Sequence, residues 1–129
     1  MTHDEFICKA IGVPWAKHQS TWQSMDCYGL VMLYYKEVLG VNLGLMPNMN
    51  MSDGYEAKSK EWSESSPVKS GLAFMTFKGG QASHCGIVID DMHVIHSGGS
   101  EQGYGSVKID KIASLERIFG KMKFYAYNL

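Results

Sequence analysis

The pattern of apolar residues changes near Gly71, and this change restricts the folds open to the chain. Before it, apolar residues recur at helical spacing in two segments, and after it they fall in short runs separated by turn residues. We predict helices over residues 2–11 and 27–39, with a loop over residues 15–25 between them. Helices followed by consecutive strands predict an α+β fold, with N-terminal helices packed on an antiparallel sheet.

The second half of the chain reads as a meander of short strands. The predicted strands cover residues 72–77, 85–89, 92–96, 104–109 and 122–127. Asp90 and Asp91 form the predicted tight turn between the second and third of them, and residues 111–119 form a short helix or turn. Residues 42–70 are predicted to be mostly loop with a short helix over 56–62, and a loop of this length tends to be functional.

Length and composition predict one soluble globular domain over residues 1–129, with 45% hydrophobic and 19% charged residues. The formal charge of −1 argues against nucleic acid as the main partner. The three cysteines are an odd number without a Cys-x-x-Cys pair, so we expect no disulfide framework. The sequence shows no signal peptide and no run of about 20 apolar residues, so no membrane span is expected.

Cys27 is the first candidate for chemistry, because it follows a helix-capping residue. Asp26 can cap the second helix, which places the Cys27 thiol at the helix N-terminus, where the helix dipole favours a thiolate. An isolated cysteine is more commonly a small buried residue. Asp26 and Gly29 favour the nucleophile, since a glycine one turn from the thiol would leave room for a substrate backbone.

A thiol nucleophile needs a base and a residue that orients the base. A hairpin turning at Asp90 and Asp91 would place His84 directly opposite His96, so that one imidazole can fix the tautomer of the other. We therefore predict His84 as the base and His96 as the orienting residue. The remaining histidines are expected to have surface or structural roles: His3, His18 and His93.

A zinc site is the alternative, with the ligands Cys27, His84, Cys85 and His96. Cys85 adjoins His84 on a strand and should point to the opposite face. The paired ligand spacing of structural zinc sites is also missing. We predict no metal and no cofactor, and we place Cys85 in the core with Ile87 and Ile89.

Four segments carry motifs that match one family in order. Residues 26–31 read Asp-Cys-Tyr-Gly-Leu-Val, residues 83–89 contain His-x-Gly-Ile, residues 94–97 read Val-Ile-His-Ser, and residues 11–15 contain Gly-x-Pro-aromatic. Together they resemble the nucleophile, base strand, third catalytic residue and upstream stretch of the NlpC family of bacterial cell-wall cysteine peptidases. The resemblance implies a papain-like fold and the catalytic residues Cys27, His84 and His96.

The resemblance also implies a substrate. Family members hydrolyse an amide bond in peptidoglycan stem peptides, usually between D-glutamate and the diamino acid, and Asp26 would help recognise the free amino end. Trp15 stands where the family usually has a tyrosine whose hydroxyl lies near the nucleophile, and Tyr28 stands where serine is common. The resemblance therefore makes Asp26, Trp15 and Tyr28 the candidates for substrate binding. A third departure is Gly71-Leu72, where Gly-Asp often begins the first strand.

Tyr28, the upstream Gly-Val-Pro-Trp and the helical Tyr34-Tyr35 look most like the branch found in bacteriophage tail proteins. This likeness implies a protein made in the bacterial cytoplasm without a signal peptide and carried in a phage or prophage tail, with other tail proteins as partners. Two alternatives stay open. One is a structural tail-assembly protein with weak or no catalysis, and the other is an amidase or acyltransferase of the same fold.

Overall fold

The computed structural model describes residues 1–44, 55, 59–65, 68–100 and 104–128. The helices in these parts are α1 (His3–Ala10), α2 (Cys27–Tyr34) and α3 (Ile112–Phe119), with a π-helical turn at Tyr35–Leu39 and a 3₁₀ turn at Ser59–Glu61. The strands are β1 (Trp62–Glu64), β2 (Ala73–Lys78), β3 (Gln81–Val88), β4 (His93–Ser100), β5 (Tyr104–Lys111) and β6 (Lys121–Tyr127). They form one antiparallel sheet in the order β1-β6-β2-β3-β4-β5.

The two predicted N-terminal helices are confirmed, and so is the α+β class. Thr2 caps α1 in a reciprocal arrangement with Glu5, in which each side chain accepts the backbone N–H of the other. The helix predicted over residues 27–39 is present over its whole length, but its last turn is π-helical. It ends at Gly40, whose φ of 70° lies in the left-handed region that glycine adopts without strain.

The strands of the second half are confirmed with shifted ends, and their order differs from a simple meander. The chain crosses from β5 through α3 and returns with β6 beside β2. The short helix predicted over residues 56–62 is confirmed only in part. Ser59–Glu61 is a 3₁₀ turn and Trp62 begins β1, an edge strand that pairs with β6, while residues 56–58 lie outside the described residues.

The sheet lies between two hydrophobic clusters. On one face, α1 and α2 pack against the sheet through buried side chains such as Phe6, Leu30 and Ile87. On the other face, Leu115 of α3 packs with Val88 and other strand residues. Burial of apolar area on both faces holds the helices against the strands, and this fixes the start of α2 relative to β3.

The register of β3 and β4 differs from the prediction. Ile87 pairs with Ile95 and Val88 with Val94, because the connection is longer than a two-residue turn and Asp90 caps its far side by accepting the N–H of Met92. Continuing this register places His84 and His96 diagonally rather than directly opposite each other. The direct pairing was therefore wrong, but a shift by an even number of residues keeps both side chains on one face.

Candidate active site

Cys27 is the first residue of α2, and local hydrogen bonds fix this helix start. Asp26 is the N-cap, and its Oδ1 accepts the backbone N–H of Gly29 at 2.7 Å. Its Oδ2 accepts the backbone N–H of His18, also at 2.7 Å. The carboxylate thus ties the preceding loop to the first turn of α2, and the Cys27 thiol remains partly exposed beside it.

Gly29 is required by the chain itself, and the prediction that it makes room for substrate was wrong. A methyl group at this position would clash with the backbone carbonyl of Gln19. The same carbonyl accepts the N–H of Asp26, and Ser20 donates its hydroxyl hydrogen to the carbonyl of Gly29 at 2.7 Å. The close approach therefore packs the loop against the first turn of α2.

The Cys27 thiol lies within hydrogen-bonding reach of two side chains of β3, Cys85 and His84. The hydrogen bond with the Cys85 thiol and the hydrogen bond and charge of His84 lower the pKa of Cys27 to about 5, against the opposing effects of burial and Asp26. At neutral pH this thiol is therefore largely a thiolate, which is the nucleophilic form.

Cys85 is buried in the core next to Ile87, as predicted, but it has a second role that the sequence did not reveal. Its interaction with the Cys27 thiol, together with burial, raises the pKa of Cys85 well above its usual range. Cys85 therefore stays protonated where Cys27 is ionised.

Replacing Cys85 by alanine should raise the pKa of Cys27, because the thiolate loses a hydrogen-bond donor. The expected result is slower alkylation of Cys27 near pH 6 and wild-type alkylation near pH 9, with hydrolysis retained but its acid limit moved to higher pH. Iodoacetamide labelling of the Cys27 peptide, followed by mass spectrometry, measures both rates. Cys8→Ala on exposed α1 is the matched control. Unchanged labelling at pH 6 would show that Cys85 does not stabilise the thiolate.

A β-bulge in β3 lies immediately before His84 and affects the direction of its side chain. The pairing of β2 and β3 shifts between Thr76 and Phe77, which leaves a bulge at Ser83 immediately before His84. Bulges turn a strand locally and are common beside active sites. The Ser83 hydroxyl donates to the carbonyl of Phe119, and the Phe119 ring stacks on the His84 imidazole with 4.3 Å between ring centroids.

Three polar side chains of the sheet, His84, His96 and Asp110, form a hydrogen-bonded series that begins beside the Cys27 thiol. His84 Nε2 lies 2.9 Å from His96 Nδ1, and His96 Nε2 lies 2.8 Å from Asp110 Oδ2. His96 is 1% exposed, and this burial lowers its pKa to about 4 although Asp110 opposes the shift. His96 is therefore neutral at pH 7 and can accept or donate one hydrogen bond at each nitrogen. The structure brings the predicted Cys27, His84 and His96 together.

Asp110 was missed at the sequence level. It lies in β5, where it pairs with Val94 and is therefore diagonal to His96. It belongs to none of the four recognised motifs. One signal was available in the sequence. Side chains alternate between the two faces of a strand, so a carboxylate next to the following predicted strand, on the same face as His96, was a candidate partner.

The fold agrees with comparisons with known proteins. The model of the NlpC/P60 family matches residues 12–120. The chain belongs to the NlpC/P60 family. A solved structure, the crystal structure of the NlpC/p60 domain of the peptidoglycan hydrolase SagA, superposes with a TM-score of 0.65 at 20% identity, covering 99% of this chain and 97% of that chain. This likeness confirms the papain-like α+β fold. No curated protein matches the chain in sequence.

The three substrate-binding candidates of this NlpC/P60 chain do not all lie in one place. Asp26 and Tyr28 line a cavity of about 650 Å³ beside α2, with Lys36 farther along it. Tyr28 is only 8% exposed, and burial raises the pKa of its hydroxyl. Trp15 is half-buried and lies along β5, where its backbone N–H donates to the carbonyl of Gly105. It is not among the described residues that line this cavity.

The other histidines of the NlpC/P60 chain make local contacts. His3 bridges α1 to the Tyr34 hydroxyl at 2.8 Å, and His93 lies 3.0 Å from Asp90 in the β3–β4 connection. His18 has a φ of 60° and contributes the backbone N–H that holds Asp26.

The described residues contain neither a candidate metal site nor a membrane-spanning helix. No group of three or more histidine, cysteine, aspartate or glutamate side chains there is arranged to hold a metal ion. No helix in the same parts of the chain is long and apolar enough to cross a membrane.

Proposed function

We propose that this NlpC/P60 protein is a cysteine peptidase that hydrolyses an amide bond in peptidoglycan stem peptides, between D-glutamate and the diamino acid. The observation that supports it is a partly exposed Cys27 thiol of lowered pKa at a helix start, in contact with a histidine that a second histidine holds. A nucleophile, its base and an orienting group are the parts that covalent amide hydrolysis requires.

The proposed reaction has two stages. Cys27, which has given its proton to His84, attacks the amide carbonyl as a thiolate and forms a tetrahedral intermediate. The Gly29 N–H in the first turn of α2 already donates to Asp26, so the N–H groups of Cys27 and Tyr28 are the ones that suit the negative oxygen of that intermediate. His84 then protonates the leaving amine, and a water molecule activated by the same imidazole releases the acyl group from Cys27.

The substrate class is supported by likeness. The chain belongs to a family of cell-wall hydrolases, and the superposed SagA domain comes from a peptidoglycan hydrolase. The cavity beside α2 also suits a short charged peptide, since Asp26 lines it near the site and Lys36 lines it farther along α2. Each Asp26 oxygen uses one lone pair within the chain and keeps another for a substrate amine.

We further propose that the protein acts as part of a phage or prophage tail. The support is the sequence likeness at Tyr28, Gly-Val-Pro-Trp and Tyr34-Tyr35. Mass spectrometry of purified phage particles from a strain that encodes the protein tests this. Recovery of the chain with tail proteins supports the proposal, and its absence from particles that contain all other tail components contradicts it.

Digestion of purified peptidoglycan tests the activity. We expect new fragments with a free diamino-acid amine and a D-glutamate carboxyl group, identified by mass spectrometry. Cleavage at a sugar–peptide linkage would indicate an amidase, and transfer to an added amine would indicate an acyltransferase. If a folded protein releases no fragment from several peptidoglycan types, the structural alternative is favoured.

The same assay separates thiol from metal chemistry. Iodoacetamide should abolish hydrolysis because it blocks the Cys27 thiolate, whereas EDTA should leave the rate unchanged because no proposed step uses a metal ion. Loss of activity in EDTA that zinc restores would contradict the proposal.

A further inference from the structure

We propose that Asp110 is a positioning residue that sets the proton arrangement of both active-site imidazoles. The proposal rests on the proposed function for its kinetic consequences. The proton arrangement itself follows from the contacts of the two imidazoles and the neutral state of His96, and it does not depend on the substrate.

The carboxylate of Asp110 determines the tautomer of His96. A carboxylate is only an acceptor, so the hydrogen of the 2.8 Å contact belongs to His96 Nε2. His96 is neutral near pH 7, since burial lowers its pKa to about 4. A neutral imidazole with a proton on Nε2 has a bare Nδ1, and His96 Nδ1 must therefore act as an acceptor.

The tautomer of His96 in turn determines the tautomer of His84. Its Nε2 lies 2.9 Å from the bare His96 Nδ1, so His84 Nε2 carries the hydrogen and donates it. Nδ1 of a neutral His84 is then bare, and it is the nitrogen free to take the Cys27 proton. When that proton moves from Cys27 Sγ to His84 Nδ1, the other two hydrogens stay in place and none passes to Asp110.

The position of Asp110 suits this role. Its side chain is 35% exposed and keeps its charge in contact with solvent, while the His96 side chain that it holds is 2% exposed. The contact crosses from β5 to β4, and both strands belong to the rigid sheet. Reversal of the His96 tautomer would leave an unprotonated Nε2 against a carboxylate, which is an unfavourable contact.

Charge adds to position. A negative charge at the end of the series favours the imidazolium form of His84 and so the thiolate–imidazolium pair. The titratable groups that act on Cys27 are Cys85, His84 and Asp26, and those that act on His96 are Asp110, His84 and Lys108. From α3, Leu115 and Phe119 face this region, and neither is charged. Lys108 opposes the effect of Asp110 on His96, so removal of the carboxylate leaves the positive charge of Lys108 without this opposing charge on β5.

The first test needs no variant of Asp110. In Cys27→Ala protein, which removes the ion pair, ¹⁵N–¹H spectra of the imidazole rings at pH 8 should show a hydrogen on Nε2 and a bare Nδ1 for both His84 and His96. A bare Nε2 on His96 would overturn the proposal. This readout does not depend on any substrate, so it separates failure of the inference from failure of the proposed function.

The second test replaces Asp110. Asp110→Asn removes the charge and offers an amide that can accept or donate, so the His96 tautomer is no longer imposed. The pH at which Cys27 becomes reactive to iodoacetamide should rise by at least about 0.5 unit. The kcat/KM for stem-peptide hydrolysis should fall about 10- to 100-fold, less than the roughly 10⁴-fold known for a buried carboxylate in direct contact with the base of a serine peptidase. The pH range of activity should narrow from both sides, because the imidazolium is less stable.

Two further variants complete the test. Asp91→Asn makes the same charge change in the exposed β3–β4 connection and should leave reactivity and kcat/KM unchanged. Asp110→Glu keeps the carboxylate and should recover part of the rate. Unchanged tautomers and an unchanged Cys27 reactivity profile in folded Asp110→Asn would overturn the proposal, even if hydrolysis were slower. If Asp110→Asn does not fold, the tautomers in Cys27→Ala protein and the Asp110→Glu profile decide.

Discussion

Replacement of Cys27 by alanine is expected to abolish peptidoglycan hydrolysis, with a loss of more than about 10³-fold in kcat/KM. The reason is that no other described thiol can substitute for it. Cys85 is buried and remains protonated because its pKa is raised, and Cys8 is exposed on α1. The measurement is release of soluble fragments from purified peptidoglycan by equal amounts of folded protein.

Two matched variants sharpen this prediction. Cys8→Ala removes a thiol distant in sequence from the site and should digest peptidoglycan at the wild-type rate. Cys27→Ser keeps the size and a hydroxyl, yet it should be nearly as inactive as alanine because a hydroxyl does not ionise under these conditions. Circular dichroism and thermal unfolding confirm that each protein folds. Substantial activity in folded Cys27→Ala would exclude a Cys27 thioester intermediate and with it the cysteine-peptidase mechanism.

The sequence was sufficient to predict the residues whose roles depend on local structure. Cys27 could be assigned because a capping aspartate and an apolar helix are visible in consecutive residues. His84 and His96 could be paired although the predicted register was wrong. The observed diagonal arrangement preserves the parity that places both on one face. A prediction that depends only on parity survives an even shift in register, whereas one that depends on direct pairing does not.

The interactions that were missed all join elements through packing. The Cys85 thiol reaches Cys27 because α2 packs against β3. The sequence pattern predicted the turn between β3 and β4, and that turn gives no information about how α2 packs. Asp110 reaches His96 through the pairing of β4 with β5, which depends on the length of an intervening segment. Gly29 was attributed to substrate approach because the Gln19 carbonyl that fills the space belongs to a loop without a recognisable pattern.

The place of β6 in the strand order could also not be predicted from local sequence patterns. Among the described residues, β2 to β6 were visible as short apolar runs and β1 was not, and the strand order β1-β6-β2-β3-β4-β5 was not visible in any local pattern. The chain returns to the β2 edge rather than extending the meander beyond β5. Local patterns predict elements, while the order of strands requires the packing of the whole sheet.

The two active-site histidines should respond differently to substitution. His84→Ala removes the group that takes the thiol proton and later protonates the leaving amine. General acid–base catalysis typically contributes about 10²–10⁴-fold, so kcat should fall within or beyond that range. His96→Asn keeps an acceptor for the His84 Nε2–H and a donor for Asp110, so the loss should stay below about 10²-fold.

His93→Ala is the matched control, since His93 lies on the same strand and contacts Asp90 away from the thiol. It should retain the wild-type rate, which separates loss of a specific imidazole from disturbance of β4. Stopped assays with a synthetic stem peptide, at saturating substrate and at several pH values, measure kcat for each folded variant. If folded His84→Ala retains more activity than His96→Asn, the roles are reversed. If neither substitution matters, Cys27 takes its base from elsewhere and the contact between the two imidazoles is structural.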